Sequence, residues 1–327
     1  MTPTALPAAS RPRTDLIWLA GMLALTAFLR LYQLDARPFQ HDEAIHAWLS
    51  LFLSHGDTYR FDPVYHGPFL YWTTAWVYAA FGISDYTARL LPALFSIALV
   101  GLVWALRARL GTLGWKLAAA FLALSPTFTY YGRFLAHDNF CAVFTLLLIV
   151  LALAYRERPS APRMMAMGAV TGLFLATKAV VFIHLGLFAL YALLIVAWDT
   201  FAPRWPRVWL LSEARAMLRH GRLHLLLGVL VMLVVYGLFY TSFLTHARGA
   251  WDGVFATLTY WGGQQAHPRI PGPVWFYLPG LMLHEPVFWL ALPAVVWVAR
   301  RRERPFVVFL AYWTIAAFTV YAIAQEK

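Results

Sequence analysis

The sequence predicts an all-α protein threaded repeatedly through a bilayer, and three observations point to it. Hydrophobic residues make up 61% of the 327 and charged residues only 13%, with a mean hydropathy of +0.62, outside the balance of a soluble domain. One apolar run follows another along the chain, at lengths that suit helices crossing hydrocarbon, where about 20 residues make one crossing. The lysines and arginines collect on alternate connectors, as the positive-inside rule requires.

Taken in order, residues 1–14 are rich in Pro, Ala and Thr and read as a disordered cytoplasmic tail. Residues 15–327 then form one transmembrane domain. Leu16 to Leu34 is the first span, and with no small-residue cleavage site after it the segment is an anchor rather than a removed signal. The further runs are Ala88–Leu106, Leu117–Tyr131, Phe140–Tyr155, Met164–Thr177, Ala179–Trp198, Leu223–Leu244, Leu278–Val298 and Phe306–Ile323, nine in all. Phe69 to Gly82, FLYWTTAWVYAAFG, is apolar but short and dense in Trp and Tyr, so it is expected to lie along the interface rather than span.

With that assignment, seventeen of the 26 lysines and arginines fall on inner segments, eight on outer ones, and Arg30 inside the first span. The net charge of +11 is therefore topology, and a nucleic-acid partner drops out. The N-terminus is cytoplasmic in a plasma membrane. Residues 35–87 form a first outer loop carrying juxtamembrane helices, and residues 245–277 a second large outer loop. The connector from Asp199 to Arg222 is basic and partly amphipathic, which attraction to anionic lipid at the inner leaflet explains. No internal repeat suggests inverted transporter halves. The single cysteine, Cys141, excludes a disulfide framework and a cysteine-rich metal site.

The longest polar interruption in the first half, Arg37 to Pro68, is the candidate active loop. It carries Asp42, Glu43, Asp57 and Asp62 among His41, His46, His55 and His66, and acids beside a bilayer must be solvated, paired or functional. Pro38 ahead of Gln40-His41-Asp42-Glu43 marks a helix start that Ala44 to Leu53 continues, with acids in the first turn favoured by the helix dipole. On such a helix Asp42 and His46 face the same way, while Glu43 lies about 100° round. A carboxylate so held suits a general base acting on an acceptor hydroxyl or amine; acids that merely cap the helix and solvate the loop would read the same. Asp42 and His46, with His41 or His66, offer metal-ligand atom types, but no fixed ligand spacing such as HExxH occurs. No metal site and no cofactor is assigned.

The stretches DEAIHAWLSLFLSHGD, DPVYHGPFLYW and FGISDYTARLLPALFS resemble the first outer loop of the GT-C glycosyltransferases of the protein O-mannosyltransferase and aminoarabinose-transferase type. SPTFTYYGRFLAHDNF resembles their second acidic site, ATKAVV their threonine-lysine turn, and PVWFYLPGLML with the later AQEK their penultimate outer loop and final lysine motif. Within that superfamily, HDEAIHAWLS with YHGPFLYW is most similar to the flippase-activity-associated membrane proteins of archaea and bacteria. The resemblance implies an inverting transferase of the cell envelope, of the protein-glycosylating kind, using a polyprenyl-phosphate sugar. It implies Asp42 as base, Glu43 as its neighbour and Asp138 as second carboxylate. Arg133, Lys178 and Lys327 become candidates for the donor phosphate, and His46, His66 and His137 for the substrate surroundings.

Cations at Arg133 and Lys178 also suit charge developing on a leaving phosphate, although both fit snorkelling at helix ends equally well. The alternative from another class is a flippase of lipid-linked sugar, or an accessory binding subunit, without catalysis. Two features depart from the family pattern. Lys178 is followed by Ala179 and Val180 where relatives carry Glu or Gly, and the chain stops at Lys327 where the pattern runs on into Pro and further spans, so a C-terminally truncated member is expected.

Overall fold

The computed structural model describes residues 12–201, 221–266, 272–285, 287, 289–290, 293–294 and 305–324. These fold into α-helices joined by turns and two short 3₁₀ segments, with no strand among the described residues. The helices are α1 (Pro12–Leu31), α2 (His41–Ser54), α3 (Phe69–Phe81), α4 (Asp85–Leu102), α5 (Arg107–Leu124), α6 (Pro126–Tyr131), α7 (Asp138–Glu157), α8 (Ala161–Leu175), α9 (Val180–Phe201), α10 (Arg222–Tyr240), α11 (Gly249–Ala266), α12 (Tyr277–His284) and α13 (Pro305–Ile323). Six stretches are long and apolar enough to cross a membrane, which makes this a multi-pass membrane protein.

Those six account for most of the nine expected spans. The stretch Asp85–Leu124 runs for 40 residues but is interrupted at Gly111, whose φ of 74° and ψ of 170° are not helical. Val100 and Val103 cluster with Ala119 and Ala123 while Trp104 meets Trp115 edge-on at 4.9 Å, the nested pairing of a hairpin centred on Gly111. Two expected spans therefore share one stretch. Ala161–Leu175 is apolar but shorter, and Leu278–Val298 lies largely outside the described residues, as do residues 1–11 of the expected tail and most of the connector from Asp199 to Arg222. Arg13 and Thr14, assigned to that tail, already belong to the first turns of α1.

The chain divides into two compact units, residues 1–59 with 68–150 and residues 60–67 with 151–327. In the first, α1 lies against α4 and α5, pinned near its start by Lys116, whose ammonium sits 2.7 Å from the buried carboxylate of Asp15. Arg30, in the last turn of α1, is fully buried. It donates to Ser96, Thr129 and the carbonyls of Leu122 and Ala123, which supplies the partners a buried guanidinium needs.

α3 departs from the simple interfacial picture. Its 13 residues reach about 20 Å at 1.5 Å per residue, short of a crossing. Yet it packs on α2 and α4, burying Phe69, Leu70, Tyr71 and Tyr78, and Phe69 meets Phe140 and Phe144 edge-on. Half of its aromatics therefore build core. Trp76 and Phe81 stay exposed and keep the character of an interfacial belt.

In the second unit α8 and α10 approach until their backbones touch. A methyl on Gly168 would stand 2.0 Å from the carbonyl oxygen of Gly228, and one on Gly172 2.7 Å from that of Met232. This is the small-xxx-small contact by which membrane helices pack closely. Gly168→Ala is expected to lower the unfolding temperature in detergent, at a cost of about 1–3 kcal/mol for overpacking. Gly186→Ala on α9, where a methyl meets nothing within 4 Å, should not. Equal effects would remove the close contact from the account. α9 and α13 pair differently, through Phe188 on Trp313 at 4.6 Å and Tyr191 on Tyr312 at 5.0 Å.

Candidate active site

The helix predicted from Pro38 onward begins at His41, and its buried face is Glu43, His46, Ala47, Ser50 and Leu53, the spacing of one helical stripe. The carboxylate on that face is Glu43. It is fully buried and accepts five hydrogen bonds. Arg89 donates through Nε to Oε1 at 2.8 Å and through an Nη to Oε2 at 3.0 Å, Arg37 to Oε2 at 2.7 Å, and the amides of Gln40 and Leu135 at 3.1 Å each. Burial pushes the carboxyl upward, but the Arg89 hydrogen bonds, the Leu135 and Gln40 amides and the Arg89 charge outweigh it. Its pKa falls below the ordinary value. With both oxygens taken, Glu43 anchors the helix.

Asp42, beside it, is exposed, at the solvent edge of the same stripe that buries His46. His46 turns inward. Its Nδ1 shares a 3.1 Å hydrogen bond with the Tyr71 hydroxyl, and its ring meets that of His137 edge-on at 5.0 Å. Tyr71 in turn stacks on Tyr59 at 5.4 Å. His137 is buried, and Asp138, which follows it, opens α7 and is exposed. The Glu43–Leu135 bond and the His46–His137 contact join the start of α2 to the segment that leads into α7, so Asp42 and Asp138 are carried at the same end of this unit.

Arg133 is occupied. Its Nη atoms donate to the carbonyls of Leu29, Arg30, Tyr32 and Gln33 at 2.6–3.4 Å, taking up acceptors in the last turn of α1 and in the turn that follows it. Arg89 gathers the carbonyls of Leu34, Arg37 and Pro38 in the same way. Burial, then the charges of Arg89 and Arg37, lower the pKa of Arg133. As a phosphate ligand it is mostly spent; as a fixed positive charge it remains.

The second unit holds the other candidates. The Gly67 amide donates to the Thr177 carbonyl at 3.0 Å, and a methyl on Gly67 would stand 2.2 Å from the Ala176 carbonyl oxygen. Only glycine fits there, and the contact sets His66 beside the turn that carries Lys178. His66 has φ of 66°, and its ring stacks on Trp261 of α11 at 5.5 Å with planes 11° apart. Lys178 is half-buried just before α9. Lys327 lies outside the described residues. Among the described residues no three His, Cys, Asp or Glu side chains gather as a metal-ligand set.

Tyr71 and Trp261 carry no sequence signal of a role and Arg89 only the resemblance, because their partners His46, His66 and Glu43 are distant in sequence; Arg37, six residues from Glu43, reads from sequence only as one more charge of the loop.

A chain with these features is a polytopic helical membrane protein in which α2 and α7 each carry an exposed aspartate in the first turn. Residues 65–218 match the family model for dolichyl-phosphate-mannose-protein mannosyltransferase. Among solved structures the chain is similar to ArnT from Cupriavidus metallidurans in the apo state, at 23% identity and TM-score 0.70 over 97% of this chain and 56% of that one. It is similar to the same enzyme bound to undecaprenyl phosphate at 24% identity and TM-score 0.69, over 97% and 57%. The Archaeoglobus fulgidus oligosaccharyltransferase tethered with an acceptor peptide is similar at 14% identity and TM-score 0.58, over 96% and 48%. No curated protein matches in sequence. These likenesses show a shared fold, and the chain spans about half the length of these solved relatives.

Proposed function

We propose that the chain belongs to a glycosyltransferase that moves a sugar from a polyprenyl-phosphate donor to an acceptor at the outer face, with inversion. The observation that carries this reading is the joining of the α2 and α7 starts, which brings two exposed carboxylates to one end of a buried ionic anchor. The mannosyltransferase family match supports it, and so does the likeness to a fold that binds undecaprenyl phosphate in the Cupriavidus enzyme.

In this mechanism Asp42 takes the proton of the acceptor hydroxyl or amine as that atom attacks the anomeric carbon. The bond from that carbon to the phosphate oxygen breaks, and the electron pair leaves with polyprenyl phosphate. The resemblance assigns Lys178, with His66 beside it in the second unit, to the charge gathering on the leaving group. Asp138 orients the sugar from the start of α7, while Glu43 and the His46–Tyr71–His137 cluster fix the helix that presents Asp42. Arg133 contributes field rather than ligation.

The test is reconstitution with a polyprenyl-phosphate sugar of defined anomer and an amine- or hydroxyl-bearing acceptor. A glycosylated product of the opposite anomeric configuration is expected. Retention of configuration would overturn the displacement, and lipid-linked sugar crossing the bilayer with no product would favour a flippase.

A further inference from the structure

The end of α1 gathers more positive charge than its carboxylates balance. Arg30, Arg37, Arg89 and Arg133 all donate into this region, and Glu43 is the one carboxylate bonded to any of them among the described residues. Beside them opens a cavity of about 640 Å³, walled by Leu29, Leu34, Leu124 and Tyr130 and carrying the guanidiniums of Arg37 and Arg133. No carboxylate lines it.

Arg37 is built to receive an anion. One Nη holds Glu43 at 2.7 Å, and the guanidinium carbon sits 5.3 Å from the ring centroids of both Tyr130 and Phe134, which fixes its plane. The side chain is still 39% exposed, and its Nε and other Nη donate to no acceptor among the described residues. An apolar wall ending at an oriented guanidinium matches an amphiphile with an anionic phosphate.

We propose that this cavity binds a phospholipid of the surrounding bilayer, its phosphate at Arg37 and an acyl chain along Leu29 and Leu124. The lining comes from α1, the turn after it, α5 and α6, and not from α2 or α7, so the occupant lies against other helices than those bearing Asp42 and Asp138. Because Arg37 also holds Glu43, a bound phosphate stabilises the guanidinium that anchors α2, and the lipid becomes a support of that helix. Anionic lipid is favoured over zwitterionic lipid by the unbalanced guanidinium charge.

The full chain, purified in detergent, is mixed with vesicles of phosphatidylcholine alone or with phosphatidylglycerol, and retained lipid is counted by native mass spectrometry. One phosphatidylglycerol per chain is expected to persist, with affinity about tenfold or more above phosphatidylcholine. It should be lost in Arg37→Gln. Leu124→Trp, which fills the rim from an exposed position and leaves the arginines intact, should lose it too. Equal retention of the two lipids, or unchanged retention in Leu124→Trp, overturns the proposal. So does displacement by inorganic phosphate, which would make this a free-anion site, or by polyprenyl phosphate, which would make the cavity part of the donor site.

Discussion

Asp42→Asn is expected to cut sugar transfer by about 10²–10⁴-fold, the range a positioned general base contributes, with donor binding and unfolding temperature nearly unchanged. The two halves of that expectation have different causes. Asp42 is exposed at the first turn of α2, so removing its charge disturbs no packing, and any effect on turnover must come from contact with reactants. The carboxamide keeps the shape and loses the basicity. Asp138→Asn, also exposed, should instead raise KM more than it lowers kcat if it orients the sugar rather than accepting the proton. Initial rates against donor and acceptor concentration separate the two. Full activity in Asp42→Asn would remove the base from the mechanism, whatever became of the fold assignment.

The start of α2 was legible from Pro38 and the acids that follow, because helix starts are local chemistry. The division of labour between Asp42 and Glu43 was not. A 100° step on a helix tells which residues diverge but not which face finds arginine, and Arg89 lies 46 residues from Glu43. Arg133 shows the same limit. An arginine near a helix end reads equally as a phosphate ligand or as snorkelling, whereas its actual acceptors are carbonyls at and just after the end of α1, about 100 residues earlier.

Trp and Tyr favour the interface, a character that α3 keeps at Trp76 and Phe81, while its first residue Phe69 packs on Phe140 and Phe144 of α7. Two backbone features were within reach and went unread. The spacing Gly168-x-x-x-Gly172 is a close-packing signal in an apolar helix, and Gly111 in a run ending in Trp115 and Lys116 could have marked a hairpin. Hydropathy and the basic residues Arg107, Arg109 and Lys116 already divide the 40-residue stretch into two spans, Ala88–Leu106 and Leu117–Tyr131, but they do not place the turn at Gly111.

Glu43→Gln is expected to destabilise the chain by about 3–5 kcal/mol, the cost of breaking a buried ion pair from one side. The neutral amide would leave the buried Arg89 guanidinium without a countercharge, and its NH₂ would meet donors from Arg89, Arg37 or the Leu135 amide where an acceptor now sits. Arg89→Lys should also be costly, since an ammonium cannot bond both carboxylate oxygens and the carbonyls of Leu34 and Arg37 at once. The pH dependence follows from the lowered pKa of Glu43. A carboxylate depressed in the folded state contributes stability that is fully present above its unfolded pKa and is lost as pH falls through the folded one. Thermal unfolding in detergent should therefore show parent and Glu43→Gln furthest apart near neutral pH and converging as the pH drops below the ordinary carboxylate range. Asp57→Asn, at an exposed position, serves as the control and should track the parent throughout. A Glu43→Gln protein that melts with the parent at neutral pH would mean that α2 is held by its apolar face alone, and the ionic anchor beneath Asp42 would then have no part in presenting the base.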